Sequence, residues 1–236
     1  MRFTEADIDE LLEAWPRLRR QPSTCADVCR VAGPLAFEMP YPNLPTLSGC
    51  YSIRINVPLE ATEFAPEVFE EGQRIPRDAD HHVYQSGALC LGSPWSVRRT
   101  LGNPPNLVRF VEQSVVPFLY ATTWREQSRP GYPFSELAHG GAGLLDDYES
   151  TLGVKGSQAV LRALDALSRR RRESNKRPCP CACGYRLGLC QYRFKLIILR
   201  QGLTKTFFRK LREQFKLEYP PARTVRGSRR KRRPRC

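Results

Sequence analysis

Two groups of residues in this chain are equipped for chemistry. The first is Asp80-His81-His82-Val83-Tyr84-Gln85-Ser86-Gly87-Ala88-Leu89-Cys90-Leu91, a short stretch that holds an isolated cysteine and two of the 3 histidines. Gly87 suits a tight turn, because glycine takes positive φ at little cost. Such a turn would present the Cys90 thiol as a nucleophile, with imidazoles beside it to polarise what the thiol attacks. The same residues also suit a half-strand ending in a buried cysteine, since a free Cys packs as a small apolar side chain.

The second group is Cys179, Cys181, Cys183 and Cys190, four of the 9 cysteines crowded into one short segment. Cysteines spread evenly would fit a secreted disulfide scaffold, whereas this crowding reads as metal ligation. Residues 2 to 7, Arg-Phe-Thr-Glu-Ala-Asp, contain no apolar run of the secretory type, and no run of the sequence approaches the length of a membrane span. A reducing cytoplasm is therefore the expected location, with no membrane partner.

Charge divides the chain. Residues 1–150 carry 13 Lys and Arg against 20 Asp and Glu, and residues 151–236 carry 25 against 4, so that an acidic body precedes a strongly basic region. The basic region is suited to a polyanion, either nucleic acid or an acidic protein face. Its Arg-rich end from Pro220 to Cys236 has almost no apolar content and reads as disordered.

The elements that must position these groups follow from periodicity. Ile8, Leu11, Leu12 and Trp15 make a helical stripe over residues 4–20, with Thr4 as cap and Pro16 as terminator. Residues 21–48 are rich in Pro and Gly and include Cys25 and Cys29, which lie four apart, would share a face on a helical turn, and read as core packing in preference to chemistry. Tyr51, Ile53, Ile55 and Val57 alternate with polar residues and predict a half-buried strand. A short extended piece follows at Glu67–Glu70. After Cys90, Gly92-Ser93-Pro94-Trp95 reads as a turn, and Asn103-Pro104-Pro105-Asn106 as a stop followed by a cap.

A core helix is predicted over 107–119, broken at Pro117. His139-Gly140-Gly141-Ala142-Gly143 lacks the Lys-Ser/Thr of a phosphate loop, and His139 reads as a turn residue in preference to a group closing over Cys90. A helix from Leu144 to Leu152, one capped by Ser157 that runs out in Arg169–Arg172, a segment Phe194–Leu199 and an amphipathic helix with Phe207, Phe208, Leu211 and Phe215 complete the reading.

Val83-Tyr84-x-x-Gly87-x-x-Cys90-Leu91 is similar to the sequence around the active cysteine of ubiquitin-conjugating enzymes. Ile75-Pro76, His82-Val83 and His139-Gly140-x-x-Gly143 look like the prokaryotic branch of that superfamily, and the likeness covers roughly residues 5–155. It implies an α+β fold, an antiparallel meander sheet packed on helices, and a transferase that carries a ubiquitin-like modifier as a thioester on Cys90. A ubiquitin-like modifier and its activating enzyme are the implied partners.

Thiol and thioester exchange at similar energy, so the modifier moves between carriers without losing its activation, which a serine oxyester would trap. The eukaryotic His-Pro-Asn is replaced here by Asp80-His81-His82, so the asparagine that steadies the oxyanion is missing. His82 could donate in its place, with Asp80 setting its tautomer; a preorganised donor of this kind contributes about 2.7–4 kcal/mol.

Cys179-Pro180-Cys181 with Cys190 has the spacing of the SEC-C zinc motif of the bacterial preprotein translocase motor. Gln191 stands at the usual final ligand, and Cys183 could supply the fourth sulfur. The resemblance implies structural Zn2+ held by Cys179, Cys181, Cys183 and Cys190, since four thiolates leave no coordination position open.

The resulting organisation is a conjugating-enzyme-like domain at 1–155, a helical, zinc-stapled basic region at 156–218 with the motif at 179–191, and a disordered basic tail at 219–236. The alternative reading is an inactive scaffold of the same fold that binds nucleic acid or an acidic partner through the basic region. A zinc hydrolase is not indicated, because no His-Glu-x-x-His is present.

Overall fold

Thr4 starts the first helix, α1 (Glu5–Ala14), through a reciprocal capping box. Its hydroxyl accepts the Asp7 N–H at 3.3 Å, and the Asp7 carboxylate accepts the Thr4 N–H at 2.7 Å. Ile8 and Leu11 are buried, and the helix stops ahead of Pro16. The computed structural model describes residues 2–60, 63–127, 133 and 141–220.

The strands β1 (Arg19–Gln21), β2 (Val28–Tyr41), β3 (Leu44–Pro58) and β4 (Glu67–Glu70) form one sheet in sequence order, each pair antiparallel. Tyr51, Ile53, Ile55 and Val57 of β3 are buried while Ser52, Arg54 and Asn56 are more open, as their alternation predicts.

The Pro- and Gly-rich stretch 21–48 is occupied largely by β2 and the start of β3, which form a long hairpin turning at Asn43 (φ 63°). Its prolines are compatible with a strand because β1 pairs only with Arg30, Val31 and Ala32. At Pro34 and Pro40 β1 no longer runs alongside, and a missing N–H is tolerated at an open edge. Cys25 and Cys29 accordingly share no helical turn. Cys29 pairs opposite Val57 and lies partly buried against the core, and Cys25 is exposed ahead of the strand.

Helices follow: α2 (Pro94–Leu101), α3 (Leu107–Phe110), α4 (Val116–Glu126), α5 (Gly141–Leu152), α6 (Ser157–Leu167), α7 (Arg171–Ser174), α8 (Tyr192–Leu199) and α9 (Lys205–Glu218). The expected turn at 92–95 leads directly into α2, capped by the Ser93 hydroxyl, which accepts the Ser96 N–H at 3.1 Å. Asn106 caps α3 by accepting the Arg109 N–H at 2.6 Å.

Pro117 does not break the chain into two helices. A π-helical turn at Val111–Val115 joins α3 to α4 just before it, a way to accommodate a proline that lacks a donor and crowds the preceding turn. The cap of α6 is Gly156 (φ 84°), and Ser157 is its first residue. The arginine run lies beyond the end of α6, with Arg171 and Arg172 opening α7.

Among the described residues two apolar cores result. The first lies between the sheet and helices α1, α3 and α4 and includes Ile8, Leu35, Ile53, Phe110 and Leu119. The second is built by α5, α6, α8 and α9, with Phe207, Phe208, Leu211 and Phe215 all buried as the stripe predicts. Trp95 of α2 belongs to the second core, its ring edge-on to Tyr148 (5.7 Å) and Phe208 (5.4 Å). Tyr219, placed by sequence at the start of the tail, stacks on Phe215 at 4.9 Å. Residues 221–236 lie outside the described residues. Among the described residues no helix is long and apolar enough to cross a membrane.

Candidate active site and metal centre

The stretch before Cys90 folds as a small hairpin on the free edge of β4. Val83 bridges Leu89, and Ala88 bridges Phe69 of β4. The Leu89 N–H donates to the Val68 carbonyl at 2.7 Å, which extends the meander by one short crossing. The turn is closed by the Gly87 N–H donating to the Tyr84 carbonyl at 2.8 Å and the Tyr84 N–H to the Ala88 carbonyl at 2.9 Å. Gly87 sits at φ 84°, the left-handed conformation that its sequence position anticipates. Val83, Ala88 and Leu89 are buried, and Cys90 emerges at the hairpin's end, partly buried.

Cys90 is surrounded by donors. Burial alone pushes its thiol up, but hydrogen bonds from the His82 side chain, the Tyr84 hydroxyl and the Gly92 N–H favour the thiolate and leave the net pKa below the ordinary cysteine value. The Tyr84 phenol moves the opposite way, raised by burial and by its hydrogen bond to Cys90. It stays protonated at neutral pH and remains a donor.

His82 occupies φ 53°, a left-handed conformation that costs a non-glycine residue about 1–3 kcal/mol. The Cys90 N–H donates to the His82 carbonyl at 2.7 Å and holds that geometry.

The other residues singled out by sequence lie around this pair. His81 Nδ1 is 2.7 Å from Asp78 Oδ1, and its N–H donates to the same oxygen at 2.9 Å. The Asp78 carboxyl is lowered chiefly by that His81 hydrogen bond. Asp80 contributes its backbone carbonyl to the Arg125 guanidinium. The structure thus brings His82 to Cys90, and the carboxylate that meets an imidazole is Asp78, on His81. Tyr84 belongs to the stretch that the sequence likeness covers, but nothing in that spacing assigns its hydroxyl to the thiol. Asp78 is recognisable in retrospect as an Asx residue shortly before His81, a residue type whose side chain bonds nearby backbone N–H groups in turns. His139 lies outside the described residues.

An apolar groove of about 480 Å³ runs past the hairpin, touching Tyr84, Leu91 and Gly92. Its opposite wall is Phe207, Lys210, Leu211 and Gln214 of α9. Lys210 covers the Phe64 ring at 4.2 Å, and the Thr204 hydroxyl donates to Glu63 at 2.7 Å, so the C-terminal helix is pinned beside the thiol stretch.

The cysteine cluster is preassembled. The sulfurs of Cys179, Cys181, Cys183 and Cys190 all lie within 4.8 Å of one another, with Cys179–Cys181 at 3.1 Å and Cys181–Cys190 at 3.6 Å. A tetrahedron of sulfurs around zinc at about 2.3 Å has edges of about 3.8 Å, so these four side chains can hold a metal ion.

Cys183 stands in the set, which its spacing left open. Ala182 (φ 60°) and Gly184 (φ 82°) wind the loop, and the Cys179 N–H donates to the Tyr185 carbonyl at 2.8 Å. The Tyr192 N–H donates to Cys190 Sγ at 3.4 Å, the main reason that this thiol falls to about 7. Backbone donors to sulfur stabilise the thiolate form that binds metal.

No family model, curated protein or solved structure matches this chain.

Proposed function

We propose that the chain carries a ubiquitin-like modifier as a thioester on Cys90 and passes it to an acceptor amine, in the manner of ubiquitin-conjugating enzymes. The observation that carries this reading is the Cys90 thiol itself, set at the end of an edge hairpin with three hydrogen-bond donors that favour its thiolate. The sequence likeness over Val83–Leu91 and the antiparallel meander support it.

In loading, the Cys90 thiolate attacks the thioester carbonyl held by an activating enzyme. A new C–S bond forms to Cys90, the old one breaks, and the activating enzyme's thiolate leaves. In discharge, an amine attacks the same carbonyl, loses its proton to solvent or a nearby base, and expels the Cys90 thiolate. In this reading His82 donates to the oxyanion formed in discharge. The groove past Leu91 and Gly92 gives the extended end of the modifier a surface to lie on.

The metal of the cysteine cluster is structural zinc in this reading, because a fully thiolate shell is the closed kind. A reducing compartment, the cytoplasm, keeps Cys90 as a thiol.

The test is incubation of wild type and Cys90→Ala with a modifier and its activating enzyme, with and without reductant. A reductant-labile adduct that requires Cys90 is expected. Its absence with a validated partner pair would defeat the enzymatic reading and leave an inactive scaffold of the same architecture.

A further inference from the structure

A cleft of about 300 Å³ opens on the C-terminal region, far in sequence from the thiol stretch. It is lined by Ser168, Arg169 and Arg170 at the end of α6, Glu173 of α7, and Lys205, Arg209 and Arg212 of α9. Among the described residues, five cationic side chains face one carboxylate, and no apolar side chain contributes to the wall. This lining favours an anion over an apolar anchor.

The cations divide into two sets. Asp165 holds Arg169 (2.8 Å) and Arg212, together with Arg177 (3.4 Å) outside the cleft, and so fixes them as part of the fold. Arg170, Lys205 and Arg209 have no side-chain hydrogen bond or ion pair among the described residues. Three like charges gathered in one concavity repel one another until an anion enters, and guanidinium groups match phosphate oxygens in a bidentate fork.

Lys205, Arg209 and Arg212 are spaced i, i+4, i+7 and share one face of α9. At 1.5 Å per residue Lys205 and Arg209 rise about 6 Å along the helix, about the step between successive phosphates of an extended strand.

We propose that this cleft grips the phosphodiester backbone of a nucleic acid strand through Arg170, Lys205 and Arg209. The proposal does not rest on thioester chemistry at Cys90. It narrows a diffuse basic surface to one site, and two of its three residues, Lys205 and Arg209, lie outside the arginine runs that dominate the sequence.

The test is fluorescence anisotropy of a labelled oligothymidylate of about 16 nucleotides, at the upper end of single-strand site sizes, titrated with the full chain over a range of salt. Arg170→Glu with Arg209→Glu should weaken binding at least tenfold and lower the slope of log affinity against log salt by about 1.4, the loss of two strand contacts. Arg186→Glu with Lys195→Glu changes the net charge equally and should cost less than threefold. Arg170→Gln with Arg209→Gln, a milder change for the fold, should weaken binding in the same direction.

Equal losses in the two reversal pairs would overturn the proposal, since they would show delocalised attraction without a site. So would unchanged binding by the Gln pair. Displacement of the oligonucleotide by polyglutamate as effectively as by unlabelled oligonucleotide at matched charge would also overturn it, in favour of an acidic protein partner.

Discussion

Cys90 is tied to His82 through the backbone, its N–H donating to the His82 carbonyl at 2.7 Å, and the His82 side chain is among the groups that lower its thiol pKa. With the backbone of His82 held at φ 53°, the imidazole is directed at the sulfur without recruiting a residue from elsewhere in the fold.

The thiol should therefore titrate early. Alkylation of Cys90 by iodoacetamide, followed against pH, is expected to show an inflection below that of an ordinary cysteine. His82→Ala and Tyr84→Phe each remove a donor to the thiolate and should move the inflection upward. At pH 7 each should slow alkylation by roughly fivefold, the equivalent of one hydrogen bond of about 1 kcal/mol. An unchanged profile in both variants would mean that the donors do not act on the sulfur.

Discharge separates the roles further. His82→Ala should slow release of a thioester to an added amine more than it slows thioester formation, because removing an oxyanion donor costs about 2.7–4 kcal/mol in the step that relies on it. Equal losses in both steps, measured in single-turnover gels, would confine His82 to holding the thiol.

For the cysteine cluster the expected stoichiometry is about one metal ion per chain, read by elemental analysis after purification without chelator. Cys183→Ser and Cys190→Ser should each lower affinity by more than about a hundredfold, above the 10–100-fold range of losses seen for supporting residues around a metal. Less than half an ion per wild-type chain would refute the site.

Asp165 offers a stability test with a definite sign. Burial raises its carboxyl, but the Arg169 hydrogen bond and the charges of Arg169, Arg177 and Arg212 outweigh this and hold it below the usual carboxylate range. A depressed folded-state pKa contributes stability that is fully present above the unfolded value of about 3.9 and is lost as pH falls through the lower folded value. Asp165→Asn should cost about 1–3 kcal/mol at neutral pH and remove that acid-dependent increment, as denaturant melts at pH 7 and pH 3 would show.

What the sequence made legible was local. The alternation at Tyr51–Val57, the Thr4 cap, the α9 stripe and the crowding of Cys179, Cys181, Cys183 and Cys190 each depend on neighbours in the chain, and each appears in the structure as expected. Strand β2 was hidden because its prolines are harmless only where β1 ends, a fact of sheet pairing that composition does not carry. Which carboxylate meets an imidazole was hidden for a related reason. The left-handed turn at His82 separates the surroundings of two adjacent histidines, so that Asp78 meets His81 while Cys90 meets His82. Tyr84 reaches the thiol only because the turn at Gly87 folds the strand back.

Trp95 stands five positions after the nucleophile, yet its indole is lodged between Tyr148 and Phe208, and the nearby Ser93 hydroxyl donates to Asp147. The strap leading away from Cys90 is thus moored to the second core, to which α9 contributes Phe208. Cutting the chain after residue 155 would strip Phe208 from that mooring and open one side of the indole to water. A fragment that carries the thiol without α9 would therefore present an apolar ring at its surface.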